Sequence, residues 1–230
     1  MSAGSRTVAS EREIELALAG PPDLIASLPA HPAVARHALA PARRERMVSR
    51  YFDTPALDLW RQRAVLRIRS SDGRFELTLK QSLPATTGVA DRREWNFPAD
   101  AFLPDLRRLP RELREGFGLG PATRLLAVFE TDILRVSLPL RLERPCGGSC
   151  LVELACDQGE IRAGGRSEAV CEVELELREG DLDLLRAFAS RLQGIGPLRP
   201  QTEDKALRGY RLRFGDAAFA AAGGHLSTMR

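Results

Sequence analysis

Cys171-Glu172-Val173-Glu174-Leu175-Glu176-Leu177 alternates carboxylates with apolar side chains at every second residue. A period of two belongs to a β-strand, whose successive side chains point to opposite faces. An ordinary half-buried strand is apolar on one face and mixed polar on the other. Here the polar face is a ladder of three glutamates, whose members repel at about 5–7 Å. The same device recurs along the chain. Glu11, Glu13 and Glu15 alternate with Arg12, Ile14 and Leu16, and Arg67 and Arg69 alternate with Leu66 and Ile68. Glu76, Thr78 and Lys80 alternate with Phe75, Leu77 and Leu79, and Arg92, Glu94 and Asn96 with Arg93, Trp95 and Phe97.

Each apolar parity can pack under helices, so the charged parity faces either open solvent or an enclosed polar cavity. Solvated charges that protect sheet edges are the common case. Against it stand the same-sign ladders, the separation of acids and bases onto different strands, and the choice of arginine at 67, 69 and 92, which suits bidentate binding of phosphate. Periodicity alone leaves both arrangements open.

The 230 residues are 43% hydrophobic and 28% charged, with 34 Lys and Arg against 31 Asp and Glu and a net charge of +3. That excludes global disorder and gives no whole-molecule case for a nucleic-acid or membrane-surface binder. No apolar run approaches the roughly 20 residues that cross a bilayer, and no signal-peptide pattern opens the chain. Four cysteines do not make a disulfide scaffold. The expectation is a soluble, cytoplasmic protein.

About eight strands are predicted, with short proline-initiated helices in 21–45, a helical surface excursion over 104–119, a helix capped by Asp181 and a final helix over 203–213. Leu125–Leu142 reads as a strand broken near Pro139. Ser71-Asp72-Gly73, Cys146–Cys150 and Asp157-Gln158-Gly159 read as turns. One α+β domain over 11–213 is the economical organisation, with flexible segments at 1–10 and 214–230.

A Glu-x-Glu delivers two carboxylates to one face, roughly 6.6 Å apart. Mg²⁺ takes such oxygens together with substrate phosphates. Glu13 and Glu15 with Glu172, Glu174 and Glu176 supply the acids, while Arg67, Arg69, Lys80, Arg92, Arg135 and Lys205 supply charge for phosphoryl groups. A cavity holding both sets suits a metal–polyphosphate ligand, because the ion mediates between anions that otherwise repel. Other features read as structural. The Cys146–Cys150 thiols lack a second ligand pair, Trp60 and Trp95 pack under helices, Asp53 and Thr54 fix a strand end, Arg107, Arg108, Arg111 and Arg114 form a solvated face, and no phosphate-binding glycine loop is present.

The chain also resembles a known family. Glu13-Ile14-Glu15-Leu16, Tyr51-Phe52-Asp53-Thr54-Pro55, Leu66-Arg67-Ile68-Arg69, Leu77-Thr78-Leu79-Lys80, Arg92-Arg93-Glu94, Thr131–Arg135, Asp157–Glu160, Cys171–Leu177 and Lys205–Tyr210 occur in the order found in CYTH domains, the triphosphate tunnel metalloenzymes. The bacterial inorganic triphosphatase branch is the most similar. The resemblance implies a closed eight-stranded antiparallel β-barrel, a tunnel with a charged lumen and helices packed outside, that hydrolyses a linear triphosphate with Mg²⁺ or Mn²⁺. It implies metal carboxylates at Glu13, Glu15, Glu172 and Glu174, with Asp157 as a further ligand, and a phosphate clamp of Arg67, Arg69, Lys80, Arg92, Arg135 and Lys205. Glu94 and Glu176 are secondary candidates. Fusion or association with a CHAD-type helical domain also follows from the resemblance. The family's first-strand Glu-x-Glu-x-Lys ends here in Ala17, so one lumen cation is missing. That leaves open a slow or non-catalytic polyphosphate-binding module, or a thiamine or nucleoside triphosphatase.

Overall fold

The computed structural model describes residues 9–83, 89–144 and 147–216, so Cys146 and most of both terminal segments predicted to be flexible lie outside the described residues. In chain order the elements are β1 (Glu11–Ala19), α1 (Pro22–Ser27), α2 (Pro32–Ala35), β2 (Arg43–Asp53), α3 (Asp58–Arg61), β3 (Ala64–Ser71), β4 (Arg74–Ser82), β5 (Ala90–Ala99), α4 (Arg111–Gly116), β6 (Leu126–Glu143), β7 (Ser149–Ala163), β8 (Arg166–Gly180), α5 (Leu182–Gln193), β9 (Arg199–Pro200) and α6 (Lys205–Phe214).

The sheet order is β5-β4-β3-β2-β6-β7-β8-β1-β9, and a further β5–β1 pairing closes the first eight strands into an antiparallel barrel. β1 makes this closure, pairing through Glu11–Glu15 with β5 and through Glu15–Ala19 with β8. Closure decides between the two arrangements left by the periodicity, since one parity of every barrel strand now faces an interior. The outward parity packs under helices. Leu138, Leu140, Val152, Leu154, Val173 and Leu175 lie under Ile25 of α1 and Leu185, Phe188 and Leu192 of α5. Leu66, Ile68, Leu77, Leu79 and Trp95 lie under Leu106, Leu109, Leu113 and Phe117. The 104–119 excursion is therefore a packed cover. Its arginines are engaged locally, Arg107 with Asp105, Arg108 with Asp100 and Arg111 with Glu115.

A third cluster belongs to the lumen side. Met47, Tyr51, Phe129, Ile133, Ile161 and Val170 share the parity of the charged residues, and they receive Ala206 and Tyr210 of α6. One end of the interior is thereby apolar and holds a helix.

Two predicted interruptions are absent. Pro139 does not break β6, because β2 stops pairing at Arg43–Ser137. Beyond that point the proline's polar edge faces the 38–40 segment, where Leu39 N–H donates to Pro139 O at 2.8 Å. A residue with no N–H costs nothing there. Asp157-Gln158-Gly159 is not a turn but the middle of β7, and the turn comes at Gly164-Gly165. The glycine at 159 answers to a close approach, since a Cβ there would lie 2.0 Å from Asp132 O of β6.

Candidate active site

The barrel interior holds a cavity of about 560 Å³. Lining it are Glu13, Glu15, Arg67, Arg69, Lys80, Arg92, Glu94, Arg135, Asp157, Glu174, Glu176 and Lys205, twelve of the thirteen residues singled out in the sequence. The thirteenth, Glu172, sits buried behind them. The charged residues sort into three groups.

The first group spans β1, β4 and β5. Lys80 Nζ donates to Glu13 at 2.5 Å and lies 2.7 Å from Glu94. Arg92 lies 3.4 Å from Glu13 and 3.7 Å from Glu15. The second group spans β6, β7, β8 and α6. Lys205 Nζ lies 2.8 Å from Asp157 and 2.5 Å from Glu174, and it also contacts Glu172. Arg135 forks onto both oxygens of Asp157 at 2.7 Å and reaches Glu174. Behind Glu172, buried Arg208 donates to it at 3.0 Å and to Glu168 at 2.7 Å.

Arg67 and Arg69 of β3 form the third group, and they differ from the rest. The nearest carboxylate to Arg67 is Glu94 at 4.0 Å, and its Nε is buried with no hydrogen-bond partner. Arg69 donates only a long bond to Ser49, at 3.4 Å, and among the described residues no carboxylate lies within 4.0 Å of it. Burial, together with Arg67 and Arg135 nearby, pushes the Arg69 guanidinium down to about 10. Arg69 without a counter-charge, beside Arg67 with only a long contact to Glu94, makes this part of the closed space an anion site.

The acids respond to the same field. Burial alone would raise Glu13 and Glu174, but Lys80 and Arg92 in one case and Lys205 and Arg135 in the other hold both carboxyls well below the ordinary range. Glu15 goes the opposite way, raised by burial and by the charge of Glu174 against the pull of Arg92. Glu172 is raised by burial and by Glu174, with Lys205 and Arg208 opposing.

Near the other end of β8, burial pushes Glu176 up to about 7 despite Arg178 at 2.6 Å. A carboxyl whose folded-state pKa exceeds its unfolded value keeps its proton in the fold after the unfolded chain has lost it, so stability falls as pH rises from about 4.5 to about 7. Glu176→Gln removes this liability. The variant is expected to gain on the order of 1 kcal/mol over the wild type at about pH 8, after allowance for solvent screening, and nothing at about pH 4. Thermal melts at the two pH values check it, and an equal change at both would contradict it.

Asp157, Glu172 and Glu174 each offer one oxygen, and these atoms lie within 4.8 Å of one another. A buried set of hard oxygen donors fits a small divalent cation such as Mg²⁺ or Mn²⁺. Glu13 and Glu15 stand apart from this trio with Lys80 and Arg92, though Glu15 still feels the charge of Glu174. Ala17 pairs in register with Glu174. The acid it faces receives its cations from Lys205 and Arg135 instead.

Asp204 and Arg208 were not foreseen as site residues. Asp204 caps α6 through a 2.8 Å bond from Leu207 N–H and accepts from Arg92 at 3.0 Å. The signals for both were present: an acid just before a helical stretch, and an arginine three residues after Lys205 on the same helix face.

Comparison with known proteins fits this geometry. The CYTH domain profile matches residues 12–210. The chain belongs to the CYTH family. Among related CYTH sequences, a protein of Haemophilus influenzae named inorganic triphosphatase is 30% identical over 201 residues, covering 87% of this chain and 55% of its own length. The chain thus spans about half the length of that relative. Among solved structures, an adenylyl cyclase candidate from Hippeastrum, described as having a dominant triphosphatase activity, aligns with a TM-score of 0.60 at 22% identity, over 86% of this chain and 95% of that one. An adenylate cyclase candidate from Bacillus halodurans aligns at 0.54 and 18%, over 87% and 98%. Both are similar to this chain in fold. Among the described residues, no helix is long and apolar enough to cross a membrane.

Proposed function

We propose that this chain hydrolyses a linear triphosphate, with inorganic tripolyphosphate as the substrate and Mg²⁺ or Mn²⁺ as the cofactor. The observation that carries this reading is the Arg67–Arg69 pair facing a carboxylate-rich wall across one cavity, where Arg69 has no carboxylate within 4.0 Å among the described residues and Arg67 has only Glu94, at 4.0 Å. The similarity to a relative named inorganic triphosphatase supports the reaction class.

Asp157, Glu172 and Glu174 would hold the metal, with Glu13 and Glu15 as further acids of the same cavity. When bound, the ion supplies charge neutralisation at phosphate oxygens and a polarised water. The rest falls to the chain. Arg67 and Arg69 bind phosphate oxygens and fix the register of the substrate along the tunnel. Lys80 and Arg92 exchange part of their hold on Glu13 and Glu15 for the phosphate chain, and Arg135 neutralises charge beside Asp157. Positioning and electrostatic stabilisation account for most phosphoryl-transfer catalysis, so no nucleophilic side chain is needed.

The lining favours a bare polyphosphate. Its one aromatic residue among those described is Tyr51, whose ring has one face stacked on Phe129 at 4.1 Å. A phosphate-release panel with Mg²⁺ or Mn²⁺ is expected to show tripolyphosphate turned over at least about tenfold faster than ATP or thiamine triphosphate, with chelator abolishing release. Calorimetric binding without release would establish the binding module instead.

A further inference from the structure

Asp53, the last residue of β2, is fully buried. Among the described residues it has no basic partner. Its Oδ1 accepts from Thr54 N–H at 2.7 Å and Leu59 N–H at 3.0 Å, and its Oδ2 accepts from Trp60 N–H at 3.0 Å and the Tyr210 hydroxyl at 2.7 Å. Three of these bonds close the turn into α3. The fourth leaves the turn and fastens strand β2 to helix α6.

A buried carboxylate without a cation is costly, and closing a turn does not require one. What the charge adds is a short, directional bond to the phenol. The surroundings make that bond a rigid mount. The Tyr210 ring packs 4.5 Å from Trp60 and 5.6 Å from Phe129. Gly209 lies so close that a Cβ would meet the Phe129 ring at 2.4 Å. Rotation and axial position of α6 are therefore both set at this end. Five residues earlier, about 7.5 Å along the helix axis, stands Lys205. Its long side chain meets three carboxylates at once, a geometry that a shift of about 1 Å would spoil.

We propose that Asp53 and Tyr210 are positioning residues that set the reach of Lys205 into the Asp157–Glu172–Glu174 cluster. The effect on ligand binding rests on the triphosphatase reading, whereas the effect on Lys205 itself does not. The composition provides a direct readout, because Lys80 and Lys205 are the only lysines in the chain, the other 32 of its 34 basic residues being arginine.

The test is brief acetylation of the folded protein followed by peptide mass spectrometry. Tyr210→Phe is expected to raise the rate at Lys205 at least about fivefold relative to Lys80, which serves as the internal control. It is also expected to weaken Mg²⁺-dependent tripolyphosphate binding about tenfold in the wild-type background, but less than about twofold when Lys205→Ala is already present. An unchanged acetylation ratio, or equal losses of affinity in both backgrounds, would overturn the proposal, since a purely structural Tyr210 acts independently of Lys205. If Tyr210→Phe does not fold, Asp53→Asn carries the same two readouts. If the wild type binds no tripolyphosphate, the functional reading fails, while the acetylation ratio still decides the role of Tyr210.

Discussion

Glu174→Gln is expected to lower the metal-dependent turnover of tripolyphosphate by about 10³-fold or more. Glu174 joins the two halves of the site. It is shared by Lys205 and Arg135, it belongs to the carboxylate trio, and its charge is felt by Glu15 across the β1–β8 ladder. Replacing it with an amide trades an anionic ligand for a neutral carbonyl oxygen and also points an N–H₂ donor at a guanidinium or an ammonium, which can only repel it. Lys205 and Arg135 keep Asp157 as a partner, so the fold is expected to survive with a lowered Tm. Mn²⁺ titration of the variant, read beside phosphate release, separates lost metal binding from lost catalysis. Activity within tenfold of the wild type would remove Glu174 from the chemistry.

Arg69→Ala has the opposite stability signature. Among the described residues no carboxylate lies within 4.0 Å of Arg69, and burial with Arg67 and Arg135 nearby pushes its guanidinium down to about 10. Removing a cation that the fold does not neutralise relieves a desolvation cost, so the apo protein is expected to be as stable as the wild type or more so. Affinity for tripolyphosphate is expected to fall about 100-fold, the value of a charge-assisted, partly desolvated phosphate contact. Arg69→Lys should recover only part of this, because an ammonium cannot fork onto two oxygens. Melts without ligand and calorimetry with it decide the matter. A variant that loses stability and keeps affinity would show Arg69 to be structural.

Strand parity separates a charged face from an apolar one in the sequence but leaves open whether the charged face is enclosed. A ladder such as Glu172, Glu174 and Glu176 has one physical reading only once the sheet closes, which the family resemblance implied and periodicity did not. Parity identifies which residues share a face but not which of them meet. Assigning Glu13 and Glu15 to Lys80 and Arg92, and Asp157, Glu172 and Glu174 to Lys205, depends on strand stagger, which short motifs do not encode. Pro139 and Gly159 were misread for a related reason. Local propensity marks both as breaks, whereas the register of neighbouring strands leaves one without a lost bond and makes the other the only residue that fits. The inward packing of α6 was hidden too, since Tyr51, Phe129 and Ile161 look like outward core residues until their parity is matched to that of Ser49, Thr131 and Asp157.

The position of β1 between β5 and β8 has a consequence for how the chain is made. The first of the barrel strands to be synthesised can acquire its second neighbour only after some 160 further residues have emerged, so the cylinder cannot close until Glu172 and Glu174 are available. Loop closure of that span belongs to the slow, high-contact-order end of folding. Until then the Glu15–Ala19 half of β1 and one edge of β7 stand open to solvent and to other chains. Acquisition of the site and completion of the fold are thus a single late event, and nascent chains halted before β8 would carry neither.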